Sequence, residues 1–204
     1  MKRVTIFVEG GAPKGHGKGT DLTRMREAFH TFLGLSDAVR IEICGSRKDA
    51  YDEFCNALKE EPGRTYLLLV DSEIPLQEGQ SRWLHVLNYQ QDQWKKPKEA
   101  TNEQLYFMAQ CVEAWLVAHP ENMKEYYGEK LGNLPVTFNV EEISKTDLAE
   151  KLNRATEKTD KGKYSKTRHL PDILKNTDRS RVRDRAPHCK CLLDHLKSLG
   201  VCRD

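Results

Sequence analysis

The chain has 204 residues and a mass of 23.5 kDa, which suffices for one substantial hydrophobic core or for one domain with an appendage. No stretch approaches the roughly 20 apolar residues of a membrane span, so the composition excludes a membrane protein and we expect a soluble, cytoplasmic one. The net charge of +2 is unevenly distributed: residues 145–204 hold 16 Lys and Arg against 9 Asp and Glu, and residues 1–144 hold 17 against 22. An acidic first part with a basic end suggests a polyanion held near a carboxylate site.

The first third of the chain alternates between strand and helix patterns. Apolar runs at 3–11, 38–44 and 66–70 are typical of buried strands. Amphipathic segments at 21–34 and 46–63 predict helices, each closed by glycine or by proline and glycine. Strands and helices that alternate over short connections predict a parallel sheet covered by helices, and therefore the α/β class.

The first predicted helix illustrates the pattern. Asp21 is placed to cap it and Gly34 to end it. One face carries apolar side chains at helical spacing and is expected to pack on the sheet: Leu22, Met25, Phe29, Phe32 and Leu33.

The pattern beyond residue 74 is harder to interpret. Residues 103–120 fit either one long helix or a fourth strand at 104–109 that leads into a helix, and the early aromatic and β-branched content favours the strand. Further helices are predicted at 81–90, 121–128, 144–157 and 187–200, with a polar linker at 158–169.

Acidic residues follow two of the predicted strands. Glu9 follows the first strand, and Asp71 and Glu73 follow the strand at 66–70. Ligands of parallel sheets bind beyond the carboxyl ends of the strands, and alternate residues of an extended chain point to the same face. Carboxylate oxygens prefer hard cations, so the pattern predicts a site for Mg²⁺ or Mn²⁺. Without metal we expect the three carboxylates to repel one another. The alternative is that each is only a loop or helix-capping residue.

The motifs VEGG, GSRKDAYDEF, LLLVDSE, MAQCVEAWLVAHP and ATEKTDKGKYSKTRH, taken together, resemble a Toprim-like family of small prokaryotic proteins with a domain of unknown function. That family is related to the OLD-type Toprim nucleases. The resemblance implies a Toprim-like parallel sheet sandwiched by helices in residues 1–120, with a helical, basic C-terminal extension in residues 121–204. It also implies that Glu9, Asp71 and Glu73 bind metal and act in catalysis, although Glu73 has a longer arm than the aspartate common at its position.

OLD-like relatives also place a later acidic residue after another strand, in a position similar to Glu113 of CVEAWL. Glu113 is therefore a candidate fourth metal ligand. It is equally well interpreted as a polar residue on the outer face of a helix.

Basic residues suggest where phosphates bind. Those that follow predicted strands or lie in the polar linker could hold a phosphate backbone, and the candidates are Gly10, Ser46, Arg47, Lys163, Lys166 and Arg168. Three cations are candidates for stabilising charge in a transition state, namely Lys145, Lys166 and Arg168, and Lys166 is the one we assign to catalysis. For Lys145 a solvated surface charge is favoured.

Three further motifs are interpreted as non-catalytic. The glycine-rich stretch 10–20 lacks the P-loop spacing and is expected to form a flexible, basic loop over the metal site. The HCKC motif with His195 and Cys202 fits no common zinc spacing and favours ordinary helix packing. Residues 169–188 are expected to form a surface or partner-binding segment, because acidic residues interrupt the basic run.

The function that these features favour is a Mg²⁺-dependent nuclease that cleaves DNA or RNA, with tRNA as one candidate substrate. The resemblance implies that it is the effector of an anti-phage defence system controlled by an AAA or ABC-type ATPase partner. A non-catalytic adaptor that binds a polyanion and docks on the ATPase is the second hypothesis. A nucleotidyl-transfer enzyme of primase type ranks last, because no priming motifs are visible.

Overall fold

The computed structural model describes residues 4–11 and 19–203. Within them a four-stranded sheet has the order β2-β1-β3-β4, and every neighbouring pair is parallel. The strands are β1 (Val4–Val8), β2 (Val39–Ile43), β3 (Thr65–Asp71) and β4 (Leu105–Met108). The predicted α/β class and the fourth strand are thereby confirmed.

Helices cover both faces of the sheet. In chain order the structure describes α1 (Gly19–Phe32), α2 (Arg47–Glu60), α3 (Arg82–Asn88), α4 (Glu113–Val117), α5 (Pro120–Tyr127), α6 (Lys145–Thr156), α7 (Lys166–Asn176), α8 (Arg179–Arg185) and α9 (Pro187–Ser198). Short 3₁₀ segments lie at Asn102–Gln104 and Val140–Glu142. None of the helices described is long and apolar enough to cross a bilayer.

The helix starts test the predicted cap at Asp21 and show a further cap at Ser46. Ser46 caps α2 through a capping box, because its hydroxyl accepts the Asp49 N–H while the Asp49 side chain accepts the Ser46 N–H. Asp21 does not cap α1, which begins two residues earlier, at Gly19. Asp21 instead lies in the first turn, where its negative charge interacts favourably with the helix dipole.

The predicted polar linker at 158–169 is wrong in its last four residues. They form the first turn of α7, which packs against α1. The helix continues through Pro171 because Leu170, Ile173 and Leu174 lie on its buried side, and their burial outweighs one missing backbone donor. The segment 169–188 is therefore not merely a surface segment, since it supplies α7 and α8 to the fold.

Two hydrophobic cores lie on opposite faces of the sheet, because side chains alternate along each strand. On β3, Leu67 and Leu69 enter one core, and Leu68 and Val70 enter the other. The first core also contains Leu174 and many other side chains of residues 121–204. The C-terminal helices therefore pack on the sheet, whereas the boundary at residue 120 stays a prediction.

We predict that replacing the fully buried Leu174 with alanine lowers the free energy of unfolding by about 2–5 kcal/mol, because it leaves a cavity in the shared core. Urea unfolding followed by tryptophan fluorescence and by circular dichroism should give one coincident transition. Leu87→Ala is the matched control, since Leu87 is 40% exposed on α3. Two separate transitions would instead show that the C-terminal helices unfold independently of the sheet.

Candidate metal centre

Three carboxylates meet at the carboxyl ends of two neighbouring strands. Glu9 directly follows β1, Asp71 is the last residue of β3, and Glu73 lies two residues further on. β1 and β3 pair in parallel, so their ends reach the same edge of the sheet. One carboxylate oxygen of each residue lies within 4.8 Å of the others. The predicted meeting of these side chains is confirmed.

Glu73 reaches the cluster through a turn and not through an extended chain. β3 ends at Asp71, and Glu73 has a φ of +67°, in the left-handed region that side chains other than glycine rarely adopt. Its N–H donates to the Gln110 carbonyl at 3.0 Å, which fixes the turn against the segment after β4. Glu73 therefore lies beside Glu9 and Asp71 as predicted, but its left-handed backbone places it there and not the alternation of an extended chain.

Asp71 is completely buried, and both of its carboxylate oxygens are occupied. Oδ1 accepts the Val112 N–H at 3.0 Å. Oδ2 accepts from the ammonium groups of Lys145 and Lys166, each at 3.2 Å. A buried carboxylate of this kind is stable only when charge and hydrogen bonds compensate its lost hydration, and here both do.

Glu9 is held from the other side. Its Oε2 accepts the Asp71 N–H at 2.9 Å and lies 3.4 Å from Nη1 of Arg47. Arg47 also donates to the Asp71 carbonyl and forms an ion pair with Asp92, and its guanidinium lies 5.0 Å from the centre of the Trp94 ring. Arg47, predicted to contact phosphate, thus points inward and supports the cluster.

The expected mutual repulsion of the metal-free carboxylates is seen between Asp71 and Glu9, but Arg47, Lys145 and Lys166 face the carboxylates and offset it. Lys145 is not a solvated charge, since its Nζ lies 2.5 Å from a Glu73 oxygen. Burial lowers the pKa of both lysines, but the nearby carboxylates more than offset it and raise each pKa above its ordinary value. Both lysines are therefore cationic at neutral pH.

Glu9 behaves differently from the lysines. Burial, with a second contribution from the negative charge of Asp71, raises the pKa of Glu9 to about 7, although Arg47 and Lys166 oppose the shift. Glu9 therefore exchanges its proton near neutral pH.

The donor set fits a hard divalent ion. Glu9, Asp71 and Glu73 offer only oxygen ligands and lie close enough together to share one ion such as Mg²⁺ or Mn²⁺. Such an ion would compete with the two ammonium groups for Oδ2 of Asp71.

The remaining acidic and basic candidates lie around this centre and not in it. Glu113, at the start of α4, accepts from the Tyr164 hydroxyl at 3.2 Å and lines a small cavity beside Lys166. It is outside the three-carboxylate group. Lys163 and Arg168 are exposed, so the structure brings only Lys166 of the linker cations to the carboxylates.

The other candidates have structural partners. The Gly10 N–H and C=O bond to Gly45, tying the ends of β1 and β2, and the Ser46 hydroxyl caps α2. Of the basic loop expected at 10–20, residues 12–18 lie outside those described, and residues 19–20 begin α1. Helix packing is confirmed for the HCKC motif: Cys189 is fully buried, and the His195 ring stacks on Tyr106 at 5.5 Å.

Sequence reasoning missed three groups around the site. The Val112 N–H is a main-chain group, so the identity of the side chain does not indicate that it binds Asp71. Asp92 and Trp94, which hold Arg47, lie in an irregular segment whose contacts are long-range, so no local spacing indicates them.

Fold and site define an α/β protein with an acidic centre at the carboxyl ends of a parallel sheet. The chain belongs to the family described as a domain of unknown function (DUF4276), which matches residues 20–197 and thus includes Asp71 and Glu73 but not Glu9. No curated protein matches it. Among solved structures, the C-terminal region of the Burkholderia pseudomallei OLD protein is similar, with 10% identity, 98% of each chain covered and a TM-score of 0.48.

We predict that Asp71→Asn lowers the free energy of unfolding in chelator by about 3 kcal/mol, because the amide leaves Lys145 and Lys166 without their shared anion. Urea denaturation measures the free energy of unfolding of each variant. Adding Lys166→Met should restore part of the loss, and Asp194→Asn, at an exposed ion pair, should leave stability near the parent value. An Asp71→Asn protein as stable as the parent would show that the lysines find other partners.

The free energy of unfolding should also depend on pH through the protonation of Glu9. Between pH 4.5 and 7 the folded protein keeps a proton on Glu9 that the unfolded chain releases, so the free energy of unfolding falls as pH rises through this window. The slope is at most about 1.4 kcal/mol per pH unit. Glu9→Gln should remove this contribution, and the exposed Glu150→Gln should not. Denaturation at several pH values in chelator measures it, and identical slopes for Glu9→Gln and parent would contradict the raised pKa.

Proposed function

We propose that this chain is a Toprim-like, Mg²⁺-dependent nuclease that hydrolyses phosphodiester bonds of DNA or RNA, with Mn²⁺ as a substitute metal. The observation that carries the proposal is the cluster of Glu9, Asp71 and Glu73 within 4.8 Å at the carboxyl ends of β1 and β3. Binding sites of parallel α/β sheets lie at this edge.

A bound divalent ion would supply activation of water and stabilisation of charge on the phosphate. In the metal-free protein the pKa of Glu9 is raised to about 7, so binding of a divalent ion near neutral pH would release its proton. Arg47 keeps Glu9 in place from the opposite side. Lys145 and Lys166 provide fixed positive charge where a phosphate would enter, and this favours a role for Lys166 in stabilising the transition state.

The start of α7 supports binding of a nucleic-acid backbone. Lys166 reaches the carboxylates, whereas Lys163 and Arg168, close to it in sequence, face solvent. A backbone bound by these exposed cations would run beside the acidic centre. The ring of Tyr164 is not free to stack on a base, because it packs against the first hydrophobic core and lies beside the His169 ring.

One observation favours the second hypothesis, a non-catalytic adaptor that binds a polyanion. The protein's own lysines already occupy Oδ2 of Asp71, so the carboxylates are compensated without metal. The ATPase partner and the role in defence are proposals for either function, and they rest on the sequence resemblance.

We predict that the purified chain cleaves plasmid DNA or total tRNA in Mg²⁺ or Mn²⁺ and not in chelator. Glu73→Gln should lower the rate by about 100-fold or more, because it removes a metal ligand. Gel electrophoresis of the two substrates measures cleavage. The control is Glu150→Gln, which changes the same functional group on the exposed face of α6.

Metal binding separates the two hypotheses. If Mg²⁺ raises the melting temperature of the parent but not of Glu73→Gln, while neither substrate is cut even after co-expression with the candidate ATPase, the adaptor is favoured. If Mg²⁺ and Mn²⁺ produce no shift in the parent, the metal centre itself is contradicted.

A further inference from the structure

A second strongly charged feature is a cavity between α8, α9 and the end of the chain, which we call the α8–α9 groove. Its described lining includes four cations, Arg179, Arg183, Lys197 and Arg203, against one acidic residue, Asp194. None of these residues contributes to the carboxylate cluster.

Arg179 is held in the groove by a feature of the backbone. An ideal Cβ at Gly34 would lie 1.6 Å from Arg179 Nη1, so only glycine leaves room for the guanidinium there. Gly34 also has a φ of +63°, which glycine adopts without strain. The guanidinium donates to the main-chain carbonyls of Leu33 and Arg203, at 3.5 and 3.1 Å. Arg179 is therefore fixed in position by neutral acceptors.

The charge of the groove is only partly compensated. Asp194 is shared between Arg183 and Lys190, at 3.2 and 2.6 Å. Arg203 pairs with Asp37, but both side chains are largely exposed, and such pairs are weak. Within the described part of the chain no carboxylate forms an ion pair with Arg179 or Lys197. The groove thus keeps a net positive charge.

The groove lies at the end of the sheet opposite the carboxylates. The Ser36 N–H donates to the Val201 carbonyl at 2.8 Å, just before β2 begins at Val39. The acidic cluster follows the other ends of the strands, and a five-residue strand spans about 16 Å. The groove and the cluster are therefore separate sites.

We propose that the α8–α9 groove binds the phosphodiester backbone of a nucleic acid. Arginine guanidinium groups match phosphate oxygens through paired hydrogen bonds, and Arg179 is already held in place with its charge uncompensated. The inference deepens the proposed function by adding an anchor remote from the cleavage centre, but binding here requires no metal. A nucleic acid that reaches both sites spans at least about five nucleotide steps.

The test measures the affinity of the full chain, in chelator, for a labelled DNA duplex of about 24 base pairs over a range of salt concentrations. The double variant Arg183→Gln/Lys197→Gln leaves Arg179 and Gly34 unchanged. It should reduce the slope of log K against log salt by about 1.8, because each lost phosphate contact removes about 0.9. Arg179→Gln should reduce it by about 0.9. Arg40→Gln/Arg64→Gln removes the same charge from arginines that pair with Glu42 and Glu61, and should keep the parent slope.

Two results would overturn the proposal: a parental salt slope in both groove variants, or displacement of the duplex by poly-glutamate as efficient as by unlabelled DNA of equal charge. Equal displacement by poly-glutamate would show that the groove binds any polyanion and is not specific for a phosphodiester backbone. The outcome is independent of nuclease activity, because binding is measured without metal. If the parent protein binds DNA through the groove but cleaves neither substrate, the proposed nuclease activity is contradicted and the proposed binding site is not.

Discussion

The buried carboxylate of Asp71 is the constraint on which the rest of the site depends. It lies at the end of a central strand, fully removed from solvent, so its charge is tolerated only because Val112, Lys145 and Lys166 all bind it. These partners come from the start of α4, the start of α6 and the start of α7. One aspartate therefore links the starts of three helices to the end of a central strand.

This constraint draws on the uneven charge of the sequence. The carboxylates come from the acidic first part of the chain, whereas Lys145 and Lys166 come from the basic last part. The C-terminal helices also complete the core on one face of the sheet. The cations and the hydrophobic packing thus arrive on the same helices, so folding of the core brings the charges together.

Local patterns predicted the features that depend on neighbouring residues. The apolar run before Asp71 predicted β3, and the amphipathic pattern at 46–63 predicted α2. The sequence failed where long-range contacts decide. The predicted linker and surface segment around Pro171 suggest no helix, yet α7 forms there and packs on α1. Lys145 resembles a surface lysine until tertiary structure places it beside Glu73. The clustering of the three carboxylates was predictable because strand ends converge by topology, and Lys166 was assigned to their site, whereas the contacts of Lys145 and Arg47 with them were not predicted.

The balance of charge connects the metal-free structure with the proposed function. With Asp92 included, four carboxylates face three cations, so the group is neutral when Glu9 is protonated and carries one negative charge when Glu9 is ionised. A divalent ion carries the charge of two ammonium groups, so exchanging it for Lys145 and Lys166 would leave the net charge unchanged while Arg47 stays with Glu9 and Asp92. The displaced lysines would remain tethered at the edge of the site, where a phosphate needs positive charge. Compensation by lysine is therefore compatible with metal binding and provides the cations that a phosphodiester substrate would require.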